Sequence, residues 1–214
     1  RLEPILGPGI RIYNSKVNMK SAGYGAAVEW HQDWAFYPHT NQGVLAMGLY
    51  LDDCDEENGP MLMVPGSHKG PVFDHHDPDG YFCGAMDPVA CDCDFDNAAP
   101  LMGPAGTMTI HHARAVHGSA LNRSQRPRRF LLIQYTSNDA WPLVNTKWKD
   151  LETFDAAIVR GEPTTQPRLE AVPVRLPLPM RPDRNVGASS IYDDQKRAKN
   201  RYFETYADGE RAPA

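Results

Sequence analysis

The sequence predicts a mainly β domain, a sandwich or barrel with a jelly roll among the choices. Two observations carry this. Short runs of strand length recur from residue 10 to residue 136. The 19 prolines and 17 glycines are scattered between them as turn punctuation rather than gathered in one disordered tract. Helical patterning enters only near the C-terminal end, and no internal repeat is present.

Residues 10–18 alternate well enough to be a strand. Residues 26–30 form a second short strand that ends at His31. Val44 to Leu51 is a mostly apolar run of strand length. Residues 61–64 are bracketed by Gly59-Pro60 and Pro65-Gly66, both turn signals. Residues 70–100 are rich in Asp, Gly, Pro and His and lack periodicity, so they form a long excursion. Long loops in compact domains are often functional, and a mobile lid is expected here, with a solvated acidic loop as the bland alternative. A strand over 107–112 is opened by Gly103-Pro104-Ala105-Gly106. Residues 128–136 give the strongest strand pattern in the chain. Residues 150–160 read as a short helix, and the proline-rich stretch 163–187 as an extended wrap. Residues 190–206 read as an amphipathic helix with Ser189 or Ser190 as N-cap.

The 214 residues suffice for one domain, taken as 1–214, with a sizeable core. Hydrophobic residues at 41% and charged residues at 23% are ordinary for a globular chain. A net charge of −5 leaves no electrostatic footprint for nucleic acid. No apolar run reaches the length needed to span a bilayer, so no membrane partner is expected. Among the four cysteines there is no C-x-x-C pair, and Cys91-Asp92-Cys93 is too tight for a zinc knuckle. Free thiols in a reducing, cytoplasmic compartment are expected, with a surface disulfide as the alternative. The chain opens on Arg1 without a signal peptide, which reads as an internal start with an N-terminal part missing from this numbering.

His31 and Asp33 form a His-x-Asp pair, and His117 follows 86 residues later. Side chains at i and i+2 of a strand point the same way, so the pair can converge on one ion if the segment stays extended. Two imidazoles and one carboxylate with other positions open form the facial triad of non-haem Fe(II) oxygenases. A lone His-x-Asp also arises by chance among eight histidines. Arg128 and Arg129 open the strong strand, and alternation lets only one point inward; its planar fork would suit a carboxylate. His111 and His112 likewise face opposite sides. His68 reads as a turn residue and His75-His76 as solvated. Trp30, Trp34, Phe36 and Tyr37 around the pair read as core aromatics that could also exclude water or stack on a substrate. Asn122-Arg123-Ser124 matches a glycosylation sequon, with no sign of secretion to support it.

Trp30-His31-Gln32-Asp33-Trp34, then Glu57 to Lys69 with its Asn58-Gly59-Pro60 and Pro65-Gly66-Ser67-His68 segments, then Val116-His117-Gly118-Ser119 and Arg128, resemble the phytanoyl-CoA dioxygenase family, in its ectoine-hydroxylase-like branch. The resemblance runs from about Leu2 to about Trp141. It implies a double-stranded β-helix, a cupin-like jelly roll with flanking helices. It implies Fe(II), 2-oxoglutarate and O2 as cofactor and co-substrates, with ascorbate as an optional addition. The implied reaction hydroxylates an unactivated C–H bond of a small metabolite and releases succinate and CO2. His31, Asp33 and His117 match the iron ligands. Arg128 matches the arginine that holds the distal carboxylate of 2-oxoglutarate, and Ser119 its hydroxyl partner. Asn18, Gln32 and Tyr37 fall where relatives contact or approach the co-substrate. Asp33 in place of Gly or Ala disfavours a halogenating branch. The usual N-terminal helical region is absent, and residues 142–214 match less clearly.

Other readings stay open at this stage. The same chemistry serves desaturation and C–N or C–P cleavage. His and Asp ligands also suit a zinc hydrolase, and the fold suits a non-catalytic cupin-like binding module. Asn14, Trp34, His111, Arg114 and Trp141 are candidates to line the substrate pocket. They would suit a small anionic or zwitterionic molecule; the oligomeric state is not readable.

Overall fold

Strand alternation in the first and the strongest patterns builds the middle of a large sheet. The computed structural model describes residues 2–23, 25–144, 148–182 and 190–203. Among these the strands are β1 (Ile10–Lys20), β2 (Val28–Gln32), β3 (Val44–Tyr50), β4 (Met61–Met63), β5 (Ala99–Leu101), β6 (Met108–His112), β7 (Val116–Ser119), β8 (Arg128–Ser137) and β9 (Ile158–Arg160). They form a five-stranded sheet, β6-β3-β8-β1-β9, and a four-stranded sheet, β2-β7-β4-β5. Every pairing is antiparallel. This is the jelly-roll architecture expected.

The sheets meet through apolar side chains contributed by both. Tyr50 and Phe130 of the larger sheet stack at 4.3 Å and pack with Met61 of the smaller one and with Cys54. Burying Phe130 alone contributes about 2 kcal/mol. Trp30 and Val116 form a second cluster with Val64, Met86 and Phe203. Trp34 anchors a third with Tyr13, Tyr37, Val44 and Ala113. All four cysteines are free thiols.

Several elements differ from expectation. The second strand begins at Val28 and carries His31 inside it; Asp33 lies just beyond, at the start of a 3-10 turn over Asp33–Ala35. The pair therefore does not converge through an extended backbone. Residues 150–160 divide into α2 (Leu151–Asp155), closed by an Asp150–Thr153 capping box, and β9, whose pairing with the start of β1 overrides continuation of the helix. Residues 162–182 carry no helix or strand, as expected of the proline-rich stretch. The expected helix over 190–206 is only α3 (Ile191–Asp194) followed by a 3-10 turn over Gln195–Arg197. Ser190 caps it, its Oγ accepting from the Tyr192 amide. Ser189 and residues 204–206 lie outside the described residues. A four-residue helix over Glu3–Leu6, labelled α1 in chain order, was not foreseen.

The excursion over 70–100 is packed rather than solvated. Val72, His75, Asp77, Phe82, Cys83, Ala85 and Met86 are buried. The Met86 amide donates to Trp30 O at 3.0 Å, and the Gln32 amide donates to His75 Nε2 at 3.0 Å. His75 is thus a buried partner of β2, contrary to its expected exposure; His76 is half-buried. The last residues of the excursion form part of β5.

Candidate metal and co-substrate site

Antiparallel pairing of β2 with β7 sets His31 directly opposite His117. Directly opposed residues share a face, and the two rings lie 4.1 Å apart. The turn after β2 swings Asp33 under them, with Oδ1 4.0 Å from His31 Nε2. One donor atom from each of His31, Asp33 and His117 lies within 4.8 Å of the others, and all three residues are buried.

The surroundings prepare these groups as ligands. His31 Nδ1 is 2.8 Å from Glu29 O, and His117 Nδ1 is 3.0 Å from Ala115 O. A carbonyl at Nδ1 fixes the proton there and leaves the Nε2 lone pair for a metal. Burial, reinforced by the neighbouring His117, holds His31 well below its usual range, and burial brings His117 down to about 4. Both imidazoles are therefore neutral at pH 7. Burial alone would raise Asp33, but His111 and His117 beside it hold the carboxyl well below its usual value. Two neutral nitrogens and one carboxylate oxygen fit Fe(II) with open positions.

The triad borders a narrow cavity of about 40 Å3, which Arg128, Asn18 and Ser119 also line. Arg128 is buried: Nε and Nη2 donate to Gly59 O at 3.2 and 3.1 Å, and Nη1 donates to Asn18 Oδ1 at 3.1 Å. Arg129 points outward to Asp52. The alternation thus resolves in favour of Arg128. Gly59 takes φ +75, and a Cβ there would meet Ala120 O at 2.7 Å. Only glycine brings this carbonyl onto the guanidinium.

Other expected site residues lie elsewhere. Gln32 is wholly buried away from the cavity lining, with Nε2 donating to Pro71 O and Arg114 O and Oε1 accepting from the Phe73 amide. It ties three segments together. Tyr37 is a core residue whose hydroxyl is held well above its usual pKa by burial and by nearby Asp33. Of the five substrate candidates, only His111 lines the cavity. Trp34 is core, with Nε1 donating to Pro173 O. Arg114 donates to Gln42 Oε1 and Gly70 O. Trp141 packs on Phe154, and Asn14 is exposed. Asn122, in the sequon, is buried.

Lys16, Gln134 and Ile191 line the cavity and were missed. Lys16 stands two residues before Asn18, and Gln134 six after Arg128; period-2 alternation could have found both. Nothing local announces Ile191 or its neighbour Tyr192, whose hydroxyl donates to Asn18 Oδ1 at 3.1 Å. None of the lining residues comes from 70–100.

A jelly roll holding two neutral histidines and a carboxylate beside a buried arginine has the architecture of the Fe(II)- and 2-oxoglutarate-dependent oxygenases. The profile of the phytanoyl-CoA dioxygenase (PhyH) family matches residues 4–130, and the chain belongs to that family. A probable alpha-ketoglutarate-dependent hypophosphite dioxygenase of Stutzerimonas stutzeri is 42% identical over 205 residues, 94% of this chain and 69% of that protein. L-proline trans-4-hydroxylase of Streptomyces griseoviridis is 36% identical over 163 residues, 66% of this chain and 61% of the hydroxylase. Ectoine dioxygenase of Bordetella parapertussis is 29% identical, over 62% of this chain and 48% of its own length. The chain thus spans between about half and two-thirds of these relatives. Among solved structures, the apo non-heme monooxygenase ThoJ superposes with a TM-score of 0.63 at 23% identity, covering 80% of this chain and 61% of that one. EctD from S. alaskensis with 2-oxoglutarate and 5-hydroxyectoine gives 0.53 at 24%, covering 76% and 56%. These likenesses establish the fold.

Proposed function

We propose that this chain couples oxidative decarboxylation of 2-oxoglutarate to hydroxylation of a small molecule. His31, Asp33 and His117 would hold one Fe(II), which when bound supplies the activation of O2. One oxygen atom ends in succinate and the other converts substrate X–H to X–OH, with CO2 released. Arg128, aided by Asn18 and Ser119, would bind the distal carboxylate of 2-oxoglutarate and so orient its keto-acid end toward the triad. Burial keeps both histidines unprotonated and excludes bulk water from the reacting atoms. The observation that carries this reading is the convergence of two carbonyl-oriented Nε2 atoms and Asp33 in the same cavity as a buried Arg128. A zinc hydrolase would not require that cationic pole. The relatives named above act on hypophosphite, proline and ectoine. A compact substrate of this kind is the fitting class, and hypophosphite, with P–H in place of C–H bonds, is the first to try. No helix among the described residues is long and apolar enough to cross a membrane.

Anaerobic Fe(II) titration tests the metal assignment. The parent chain is expected to bind one equivalent, and Asp33→Ala and His117→Ala to lose affinity by roughly 10- to 100-fold or more, at least the scale of removing an outer-shell partner. Parent-like binding in both variants would refute the assignment. Succinate release above the uncoupled background, with and without ascorbate, then screens substrates.

A further inference from the structure

We propose that Lys16, His111 and Gln134 form the primary-substrate subsite, and that it takes a compact oxyanion of single negative charge. This rests on the oxygenase reading above and deepens it by placing the second ligand.

The strand register gives the cavity two polar ends. Arg128 stands opposite Lys20, and Phe130 opposite Asn18, at the co-substrate end. Further along the same two strands, Leu132 stands opposite Lys16. Gln134 of β8 and His111 of β6 both stand opposite Ala46 of β3, one on each side. Directly opposed residues share a face, so His111, Ala46 and Gln134 form one inward row in which the middle side chain is only a methyl. Gln134 lies six residues beyond Arg128, about 20 Å along the strand. The triad lies against this second end, since Asp33 Oδ2 is 3.6 Å from His111 Nε2 and the His111 and His117 rings are 4.8 Å apart.

The polar atoms of this second end are under-bonded. Gln134 Oε1 and both ring nitrogens of His111 are buried without a close hydrogen bond, His111 Nε2 meeting Asp33 Oδ2 only at 3.6 Å. Buried polar groups are nearly always satisfied, and several unsatisfied ones in one place need an explanation. By contrast, the co-substrate end is internally bonded through Arg128, Asn18 and Tyr192. His111 carries a donor, and the Gln134 amide can present its NH2 group instead of its oxygen. Lys16 adds a charge close enough that both Asp33 and His117 feel it. The cavity lining holds two fixed cations, Lys16 and Arg128, and a single carboxylate, Asp33. With Arg128 taken by 2-oxoglutarate and Asp33 by the metal, Lys16 and the neutral donors are left for an anion. The narrowness of the space favours a compact one.

The test is anaerobic calorimetric titration of hypophosphite into the chain loaded with Fe(II) and 2-oxoglutarate, with L-proline and ectoine as zwitterionic comparisons. Hypophosphite should bind and the zwitterions more weakly. Lys16→Ala should weaken hypophosphite by about tenfold or more, as expected for loss of a charge-assisted contact, and Lys16→Arg should recover most of it. His111→Phe should weaken it similarly. Lys16 is exposed, so its variants do not threaten the fold, and affinity for 2-oxoglutarate should stay within about twofold in them. Hypophosphite binding that ignores Lys16, an equal loss of 2-oxoglutarate affinity, or tighter binding of a zwitterion would each overturn the subsite. Failure of the parent chain to bind 2-oxoglutarate at all would instead overturn the oxygenase reading beneath it.

Discussion

Arg128 and Arg129 are neighbours with opposite environments. Arg129 shares its charge with Asp52 at the surface. Arg128 is buried and spends three donors on Gly59 O and Asn18 Oδ1, leaving its remaining fork for a ligand. Truncating a buried charged partner costs on the order of 2–5 kcal/mol, much of it from the stranded opposite charge. Arg128→Ala should therefore raise KM for 2-oxoglutarate at least 30-fold on that scale, and Arg129→Ala should change it little. Arg128→Lys should recover only part, because an ammonium cannot reproduce the planar fork. Steady-state kinetics in 2-oxoglutarate decides this, and a larger effect at Arg129 would reverse the assignment. Two motif residues that looked chemically idle in the sequence now have roles at this scale. Gly59 supplies the carbonyl that orients Arg128. Ser67 Oγ accepts from the Val116 amide at 2.8 Å and so fixes the strand one residue before His117.

At the scale of elements, the site is a product of one strand pair and one C-terminal strap. β2 and β7 bring His31 and His117 together by register alone, which the sequence could suggest but not register. The strap over Ser190–Phe203 was legible only as an amphipathic pattern. Its path is set by long-range contacts: Gln195 Oε1 accepts from the Glu29 amide at 2.8 Å, and Nε2 donates to Gly84 O at 2.8 Å. The Tyr202 amide donates to Glu29 Oε2 at 2.9 Å, and Phe203 covers Trp30 at 5.2 Å. A Cβ on Gly118 would meet the Phe203 ring at 2.8 Å, so the glycine after His117 makes room for the strap. The strap places Ile191 in the cavity lining. Tyr192 bonds Asn18 beside Arg128, so movement of the strap would alter access to the buried guanidinium. Gln195→Ala strands two buried backbone groups, at about 1–3 kcal/mol each. It should lower the unfolding midpoint, speed hydrogen exchange over 190–203 and change the 2-oxoglutarate association rate. An unchanged rate despite faster exchange would remove the strap from the entry path and leave it a structural brace.

For the whole molecule, strand patterning and turn residues made the jelly roll and its main strands legible, because period-2 alternation is local physics. The same physics could not place Trp34, Arg114 and Gln32, which read as site residues in the sequence, or His75, which reads as solvated; the fold uses all four for packing and cross-bracing. Their shared property is burial of polar or ring nitrogen groups, and this gives the molecule a pH dependence. His39 is pulled down to about 4 by burial, with Nδ1 2.7 Å from Tyr37 O and Nε2 buried without a partner. His75 is pulled to about 4 for the same reason, and its Nε2 must stay unprotonated to accept from the Gln32 amide. The unfolded chain takes up these protons near pH 6.5, which the folded chain resists until about 4. The stability they confer is complete above pH 6.5 and is lost as pH falls toward 4, up to about 2–3 kcal/mol for each histidine. His31 and His117, lowered by burial, act with the same sign, while Glu29, raised by burial, offsets part of the effect. Urea unfolding with a chelator present, which removes any contribution from metal binding, should show the midpoint dropping steeply between pH 7 and 4.5. His39→Phe should flatten that slope. A midpoint unchanged across the range would mean that these imidazoles protonate within the fold at little cost, and that the buried cross-bracing assigned to His75 is absent in solution.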